Sequence, residues 1–277
     1  FESVLAAVAH GLTPIVASLE CAKRVAEAAL RLRRGINIHV KVDTGMGRIG
    51  VRPEAALELV RELARLKAIR VQGIYTHMAK AEDDAAFTAR QLRDFKRAVS
   101  TLAREGLRPP LVHAANSAAA LRSSAARFDM VRPGLAAYGL YEGFSPVLTL
   151  KSKLVYIKTV PKGATVSYGA TWRAPRTSRI ATLPIGYGDG YARSLSNRAS
   201  VLVGGRRCPV IGLVTMDQIM IEVTAAPGAR VGADAVLLGR QQGASVTASE
   251  LARLSGTIPY ETVTAISGRV PRVGMRP

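Results

Sequence analysis

The spacing of apolar residues changes character about halfway along the chain. Before residue 142, short apolar runs alternate with segments whose apolar residues recur every three or four positions, which is the helical period. Predicted strands cover 12–17, 36–42, 69–75, 111–114 and 128–131, and the main predicted helices cover 18–34, 53–66, 84–105 and 117–122. Regular alternation of strands and helices predicts a parallel sheet.

Capping residues and apolar faces support these helices. Ser18 and either Asp83 or Asp84 are suitable N-caps, and Pro53 suits a first helical turn. The residues expected to face inward are Leu19, Ala22, Ala26, Ala29 and Leu30 in the first helix, Ala56, Leu59, Val60 and Leu63 in the second, and Leu92, Phe95, Val99 and Leu102 in the third.

Five strands are fewer than the eight of a closed β/α (TIM) barrel, and Phe1 already falls within a helical pattern. We therefore expect an α/β fold of the (β/α)8 type that is incomplete at its N-terminus, with an open doubly wound sheet as the alternative. Beyond residue 143, short strand patterns and turns rich in Gly and Pro predict a mainly β domain. This divides the chain into a partial barrel, 1–142, and a C-terminal β domain, 143–277.

Composition excludes several classes of partner. The net charge is +19, but the arginines are dispersed and do not interleave with aromatic residues, so we expect no nucleic-acid function. No apolar run is long enough for a membrane span, so we expect no membrane partner. Cys21 and Cys208 lack metal-type spacing, and we interpret them as buried free thiols of a cytoplasmic protein.

Polar residues follow the predicted strands of the first half, where the carboxyl ends of parallel strands form a common rim. These residues are Lys41, Asp43 and Arg48 after the second strand, His77 after the third, His113, Asn116 and Ser117 after the fourth, and Arg132 and Gly134 after the fifth. Ser117 begins a predicted helix, so it could bind phosphate or act only as a helix cap. Residues 44–48 lack the spacing of a nucleotide-binding loop and are interpreted as a tight turn that orients Arg48.

The β domain offers fewer polar candidates. Tyr168 and Tyr187 lie in glycine-containing turns, and Met216 and Asp217 lie at the end of a strand. From the residues alone, packing is the more common role of such tyrosines, and Met216 and Asp217 would by default be a core residue and a turn cap.

Seven segments, in order along the chain, together resemble the signature segments of alanine racemases. They are Lys41–Arg48, Thr76–Ala79, His113–Ser117, Met130–Gly134, Ser167–Thr171, Ile185–Gly190 and Thr215–Gln218. The resemblance implies a barrel that binds pyridoxal 5'-phosphate, a following β domain, and a homodimer with shared active sites. The implied reaction is the interconversion of L- and D-alanine.

The resemblance also implies cofactor-binding roles. The phosphate would be bound by Ser117, Asn116, the backbone at Gly134 and Leu135, and the hydroxyl of Tyr260. Arg132 would face the pyridine nitrogen with His77 and His113 behind it. A permanently charged guanidinium at that position disfavours protonation of the ring.

On the substrate side, Tyr168 would act as the base for one enantiomer from the partner subunit, with positive charge nearby to favour loss of its proton. Arg48 would contact the substrate carboxylate or Tyr168. Met216, again from the partner subunit and with Asp217 beside it, would offer a backbone N–H to the carboxylate, and Tyr187 would line the entrance. Lys41 matches a lysine that is carbamylated in many family members.

One family segment has no counterpart in the sequence. It is the Val-Lys-Ala-Asn-Ala-Tyr-Gly type segment, whose lysine bonds to the cofactor and serves as the second base. We therefore expect this chain alone to be inactive and the intact protein to be a racemase. The alternatives are a non-catalytic ligand-binding protein, a serine or broad-specificity racemase, and, less compatible with Tyr168, a decarboxylase that shares the barrel.

Overall fold

The computed structural model describes residues 2–274, which form two compact units. The first unit runs to Ala136 and the second begins at Ala137. The first unit contains, in order, α1 (Glu2–Ala9), β1 (Ile15–Val16), α2 (Leu19–Arg31), β2 (Ile36–Lys41), α3 (Ala56–Ala64), β3 (Ile69–Tyr75), α4 (Ala85–Arg104), β4 (Leu111–His113) and α5 (Ser117–Arg122).

The four strands of the first unit form one parallel sheet in the order β1-β2-β3-β4. The predicted fifth strand at 128–131 is wrong, because only Met130 pairs, through a single parallel bridge to His113. The loop that follows Met130 nevertheless leaves the sheet at the same edge as the ends of β2–β4. This edge carries the candidate site.

The helices of the first unit bury the faces that the sequence predicts, with one exception. The named inward residues of α3 and α4 are all buried in the core beneath the sheet. Leu30 is 64% exposed, so its predicted inward position is wrong; α2 ends one residue later, and its buried face is carried by alanines and Val25. Ser18 caps α2 and Asp84 caps α4 through their side-chain oxygens.

The second unit is mainly β. Its elements are β5 (Leu150–Lys153), β6 (Tyr156–Val160), β7 (Thr165–Val166), β8 (Trp172–Arg173), β9 (Ser178–Leu183), β10 (Ser200–Val203), β11 (Arg206–Ile211), β12 (Ile219–Glu222), β13 (Asp234–Gln241), β14 (Ala244–Val246), α6 (Ala248–Ser255) and α7 (Pro259–Thr264). The larger sheet has the order β14-β13-β10-β11-β12-β9-β6, with β5 also paired to β13, and β7 and β8 form a separate hairpin. All of these pairings are antiparallel.

The two cysteines differ in environment. Both are free thiols, but only Cys208 is buried, whereas Cys21 is exposed on α2. The prediction that both are buried is therefore wrong for Cys21, which lies on the solvent side of an amphipathic helix. None of the helices in residues 2–274 combines the length and apolar character of a membrane-spanning segment.

Candidate active site

The predicted polar residues of the first unit converge at one edge of its sheet. Lys41 ends β2, Tyr75 ends β3 and His113 ends β4. The backbone N–H of Arg132 donates to Ala115 O at 2.9 Å, which ties the loop after Met130 to the segment that follows β4. Because the strands are parallel, all of these side chains meet on the same rim.

Arg132 is held in one orientation by partners on two neighbouring strand ends. Its Nη2 donates to Thr76 O at 2.8 Å and to Ala114 O at 3.1 Å. The same nitrogen lies 3.3 Å from His77 Nδ1, and Nη1 bonds His113 Nδ1. A guanidinium has five donors in a rigid plane, so this set of acceptors fixes the direction in which its remaining edge points.

The two histidines beside Arg132 are neutral at neutral pH. Burial, reinforced by the charge of Arg132, lowers the pKa of His77 to about 4 and that of His113 to about 3. A neutral imidazole can accept a hydrogen bond from the guanidinium, whereas an imidazolium cannot. The guanidinium of Arg132 therefore stays charged among uncharged acceptors.

Tyr75 is a member of this cluster that the sequence analysis missed. Its ring stacks on His113 with centroids 4.7 Å apart and an interplanar angle of 3°. Lys41 Nζ lies 5.0 Å from the ring centroid and the Arg132 guanidinium carbon 4.9 Å from it. An aromatic residue inside a strand normally indicates core packing, and only its position as the last residue of β3 could have indicated the rim.

Ser117 is buried at the start of α5, where its hydroxyl meets a second segment of backbone. Its Oγ accepts from Gly134 N–H at 2.8 Å and from Ala136 N–H at 3.2 Å. The helix cap is Asn116 instead, whose Oδ1 accepts from Ala119 N–H at 3.0 Å and whose Nδ2 donates to Met78 O. Ser117 is therefore not needed as the cap, and it joins the loop of Gly134 and Leu135 to the strand-end site.

Lys41 is almost completely buried beside Arg132 and Arg48. Its Nζ donates to Val42 O at 3.0 Å. Burial lowers the pKa of Lys41 to about 8, with Asp43 opposing and the two arginines adding to the effect. The amine is consequently far more often unprotonated near neutral pH than an exposed lysine.

The turn that carries Arg48 is organised by Asp43, which the sequence analysis named without a role. The carboxylate accepts from the backbone N–H groups of Gly45, Met46 and Gly47 at 2.8–3.1 Å. Burial opposes ionisation, but these hydrogen bonds and Lys41 hold the pKa of Asp43 below its ordinary value. Arg48 itself is exposed, yet its charge contributes to the pKa shifts of Lys41 and His77.

Gln91 is a second residue that the sequence analysis missed. It lies on the buried face of α4, and its Nε2 donates to His77 O at 3.1 Å while its Oε1 accepts from Ala79 N–H at 2.9 Å. The available signal was a glutamine on the predicted apolar face, one helical turn before Phe95, because polar residues are rarely placed on such a face without partners.

In the second unit, four predicted residues line one cleft. Tyr168, Tyr187, Met216 and Asp217 surround a cavity of about 520 Å³. The Tyr187 and Met216 segments pair through Tyr187 N–H to Thr215 O at 3.0 Å and Gly188 N–H to Met216 O at 2.9 Å. Residues far apart in sequence are thus joined by backbone hydrogen bonds between two turns.

Tyr168 lies on a strained turn between β7 and β8. It is 73% exposed, and the residues around it have positive φ: Ser167 at 66° and Ala170 at 48°. With ψ at 179°, Ser167 adopts a backbone conformation that is otherwise almost confined to glycine. Its hydroxyl donates to Leu213 O at 2.7 Å, which links this turn to the Met216 segment.

Arg269 supports the same cleft from the C-terminal segment. It pairs with Asp217 Oδ1 at 2.6 Å and with Asp189 Oδ1 at 3.3 Å, and the other oxygen of Asp189 accepts from Gly186 N–H at 2.9 Å. The sequence analysis did not name Arg269. Tyr260 occupies the second position of α7, where its side chain is 36% exposed.

A parallel β/α sheet whose strand ends gather polar residues is the architecture on which β/α-barrel enzymes build their active sites. The N-terminal domain model of alanine racemase matches residues 2–142, and the C-terminal domain model matches residues 147–274. The alanine racemase of Symbiobacterium thermophilum is 48% identical over 251 residues, covering 87% of this chain and 67% of the relative. That of Halothermothrix orenii is 43% identical, covering 95% of this chain and 72% of the relative.

Solved structures of alanine racemases are also similar to this chain. Alanine racemase from Clostridium difficile 630 has a TM-score of 0.91 at 35% identity, and that from Bacillus anthracis with bound L-Ala-P has 0.90 at 36%. They cover 97% and 98% of this chain, which covers 72% of each of them. The chain belongs to the alanine racemase family, whose members are isomerases that act on amino acids with pyridoxal phosphate. The predicted fold class, a (β/α)8-type barrel followed by a mainly β domain, is confirmed.

Proposed function

We propose that the protein interconverts L- and D-alanine, with Tyr168 moving a proton at one face of the α-carbon. The observation that carries the proposal is the placement of Tyr168, an exposed phenol on a strained turn that lines a cleft with Tyr187 and Met216. Strain of this kind persists where surrounding contacts enforce it, and it is concentrated at functional sites. Relatives named alanine racemase, one of them solved with L-Ala-P, support alanine as the substrate.

The donor set at the strand ends fits pyridoxal phosphate. A buried hydroxyl beside backbone N–H groups suits a phosphate, so we assign Ser117, Gly134 and Leu135 to it, together with Asn116 and the hydroxyl of Tyr260. When bound, the cofactor supplies an electron-accepting ring that makes the α-proton of an amino acid easier to remove.

Arg132 is assigned to the pyridine nitrogen, with His77 and His113 fixing the guanidinium from behind. The backbone acceptors Thr76 O and Ala114 O hold the same group in place. Because Arg132 has no lone pair to offer and stays charged, it would donate to the nitrogen and disfavour its protonation when the cofactor is bound.

Further residues are assigned to the substrate side of the site. We assign Arg48 to the carboxylate or to Tyr168, the Met216 backbone N–H with Asp217 to the carboxylate, and Tyr187 to the entrance. The ion pair between Asp217 and Arg269 supports the turn that presents Met216. We assign no residue of this chain to proton transfer on the opposite face of the α-carbon.

Lys41 is proposed as a carbamylated lysine that orients Arg48. Carbamylation requires an unprotonated amine that attacks carbon dioxide, and a pKa of about 8 supplies more of that form near neutral pH. Addition forms an N–C bond and releases one proton of the amine to solvent, so the carbamate carries a negative charge, which the two neighbouring arginines favour. Mass spectrometry of the native protein would detect the added mass, and its absence in Lys41→Gln would assign it.

We also propose a homodimer in which each Tyr168 serves the site of the other copy, located in the cytoplasm. The high exposure of Tyr168 supports a role toward a second chain. The division into 1–142 and 143–277 remains a prediction alongside the compact units that meet at residues 136 and 137.

The test uses the full-length product of the gene. Tyr168→Phe should lower racemisation of alanine by at least about 100-fold while the absorbance of bound pyridoxal phosphate is retained, because only the proton-transferring hydroxyl is lost. Tyr156→Phe is the matched control, an exposed tyrosine on β6, and should leave turnover unchanged. Unchanged turnover in both directions in Tyr168→Phe would refute the assigned role.

Shared sites have their own test. Tyr168→Phe and Arg132→Met are each expected to be inactive, and their co-expression should restore about a quarter of wild-type activity, since half of randomly mixed dimers contain one intact site of two. No recovery in isolated mixed dimers would place Tyr168 in the site of its own chain.

A further inference from the structure

A hydrogen-bonded chain of imidazoles continues beyond Arg132 to a residue with no role so far. His39 Nδ1 lies 2.9 Å from His113 Nε2, and the ring centroids are 5.0 Å apart. His113 Nδ1 in turn bonds Arg132. The order is therefore His39, His113, Arg132.

The backbone is arranged to permit this contact. His39 is on β2 and His113 on β4, with β3 between them. In the register of β2 and β3, His39 pairs with Gly73, and a Cβ at Gly73 would lie 2.7 Å from the His39 ring. The ring lies across the intervening strand only because Gly73 has no side chain.

The pairing of His39 with Gly73 depends on a bulge. Ile38 pairs with Val71 and His39 with Gly73, so Gln72 is the extra residue on β3. Without the shift, His39 would face Gln72 instead of Gly73. Bulges in parallel pairs are rare and often redirect side chains near functional sites.

The chemistry of the groups fixes where each proton lies. Arg132 can only donate, so His113 Nδ1 must accept and His113 carries its proton on Nε2. That Nε2–H then donates to His39 Nδ1, which leaves the proton of His39 on its own Nε2. Only this pair of tautomers satisfies both contacts with neutral rings.

We propose that His39 is a positioning residue for Arg132, because it accepts the proton of His113 and so keeps a lone pair on His113 directed at the guanidinium. The inference deepens the proposed function, since it rests on Arg132 facing the cofactor ring. His39 acts through His113 and touches neither cofactor nor substrate in this scheme.

The surroundings favour neutral rings throughout. Burial lowers the pKa of His39, with a hydrogen bond to the Gln72 side chain opposing and the charge of Arg132 adding to the effect. The other titratable groups that face these residues are Lys41, whose charge also lowers the pKa of His113, Tyr75, which stacks on His113, and His77, which contacts Arg132. No carboxylate is among the causes of the pKa shifts of His39 and His113, so nothing in that set would stabilise an imidazolium.

The direct test reads the tautomers by NMR. The chain has four histidines, so nitrogen-15 labelling of histidine gives few signals, and long-range correlation spectra distinguish an Nε2–H from an Nδ1–H ring. In the cofactor-free wild type, His113 and His39 should each be single Nε2–H tautomers. His113 protonated on Nδ1 in the wild type would overturn the proposal.

A matched pair of substitutions separates positioning from packing. Asn and Leu are nearly equal in size, but Asn can place an oxygen near the position of His39 Nδ1. His39→Leu should allow both tautomers of His113 and lower kcat about tenfold with KM unchanged, the rate equivalent of one net hydrogen bond. His39→Asn should restore the single tautomer and most of kcat. If the two variants behave alike in spectra and kinetics, the role of His39 is packing and the proposal is wrong.

A failure of the proposal for His39 can be distinguished from a failure of the proposed function. If the wild type neither binds pyridoxal phosphate nor racemises alanine, the proposed function fails, while the tautomers of His113 in the cofactor-free protein still test the hydrogen-bonded chain. The absorbance of bound cofactor in His39→Leu supplies a further readout. A shift of its band relative to wild type supports altered positioning of Arg132, and an identical band with identical kcat contradicts it.

Discussion

The two units build their candidate residues by opposite means. In the first, a parallel sheet delivers polar side chains to one edge and buries them, so that Lys41, His77 and His113 have strongly lowered pKa values. In the second, turns hold exposed residues through backbone contacts and positive φ angles around Tyr168. The first unit tunes charge by burial, and the second sets position by strain and close backbone packing.

The largest effect is expected at Arg132, on which the electrostatics of the first unit depend. Arg132→Met removes the charge that lies between His77 and His113 and should lower racemisation about 1000-fold, as loss of an electrostatic group commonly does. Because that charge lowers the pKa of both His77 and His113, NMR titration should show both values rising.

Arg132→Lys is the matched control for charge. It keeps a cation but cannot span two imidazoles and two carbonyl oxygens at once. Its histidine pKa values should stay near those of wild type while activity still falls. Histidine pKa values that do not move in Arg132→Met would show that burial alone tunes the first unit.

The contrast between a regular parallel sheet and turns joined by distant contacts also explains what could be predicted from the sequence. Parallel strands place their carboxyl ends on a common rim by geometry, so the gathering of His77, His113 and Arg132 followed from pattern alone. The prediction of a fifth strand was wrong because only Met130 pairs there. A bridge of one residue leaves no repeating pattern of apolar residues that the sequence could show. The helices α3 and α4 were predictable because their apolar faces repeat over several turns.

Other features depend on contacts that no local pattern encodes. The bulge at Gln72 and the contact between His39 and His113 arise only after three strands have aligned. In the second unit, the pairing of the Tyr187 and Met216 turns joins residues almost thirty positions apart. Arg269 went unnoticed for the same reason, since an exposed arginine near the C-terminus has no distinctive signal until its two aspartate partners are seen.

A pair of glycines tests whether backbone packing matters more in the second unit. A Cβ at Gly186 would lie 2.2 Å from Thr215 O, a backbone atom, whereas one at Gly73 would meet the ring of His39. Gly186→Ala must displace a whole turn and should cost about 3 kcal/mol of unfolding free energy, against about 1 kcal/mol for Gly73→Ala, where a side chain can rotate away.

Urea unfolding of each variant measures these costs. Gly35→Ala is the control, because a Cβ there has nothing within 4 Å, and it should change stability by less than about 0.5 kcal/mol. Gly73→Ala should also disturb the tautomer of His113, which Gly186→Ala should leave unchanged. Equal stability losses at the two glycines would remove the distinction drawn between the units.

The last comparison concerns acid stability, and the effect should be confined to the first unit. All four histidines, His10, His39, His77 and His113, precede residue 137. His77 and His113 have folded pKa values of about 4 and 3, below the ordinary 6.5, so the unfolded chain binds more protons between those values. Above pH 6.5 these histidines take nothing from the free energy of unfolding. As pH falls below 6.5, the free energy of unfolding decreases by at most about 1.4 kcal/mol per pH unit for each histidine.

Hydrogen exchange followed peptide by peptide between pH 7 and pH 5 would locate this loss. Peptides from β3 and β4 should lose protection first, while peptides from the β sheet of the second unit, which contains no histidine, should change little over the same range. His113→Gln should weaken the pH dependence, and the exposed His10→Gln should leave it as in wild type. If protection falls equally in both units, the buried imidazoles are not the source of the acid sensitivity. The loss of unfolding free energy from His77 and His113 at low pH would then be smaller than their burial beside Arg132 predicts.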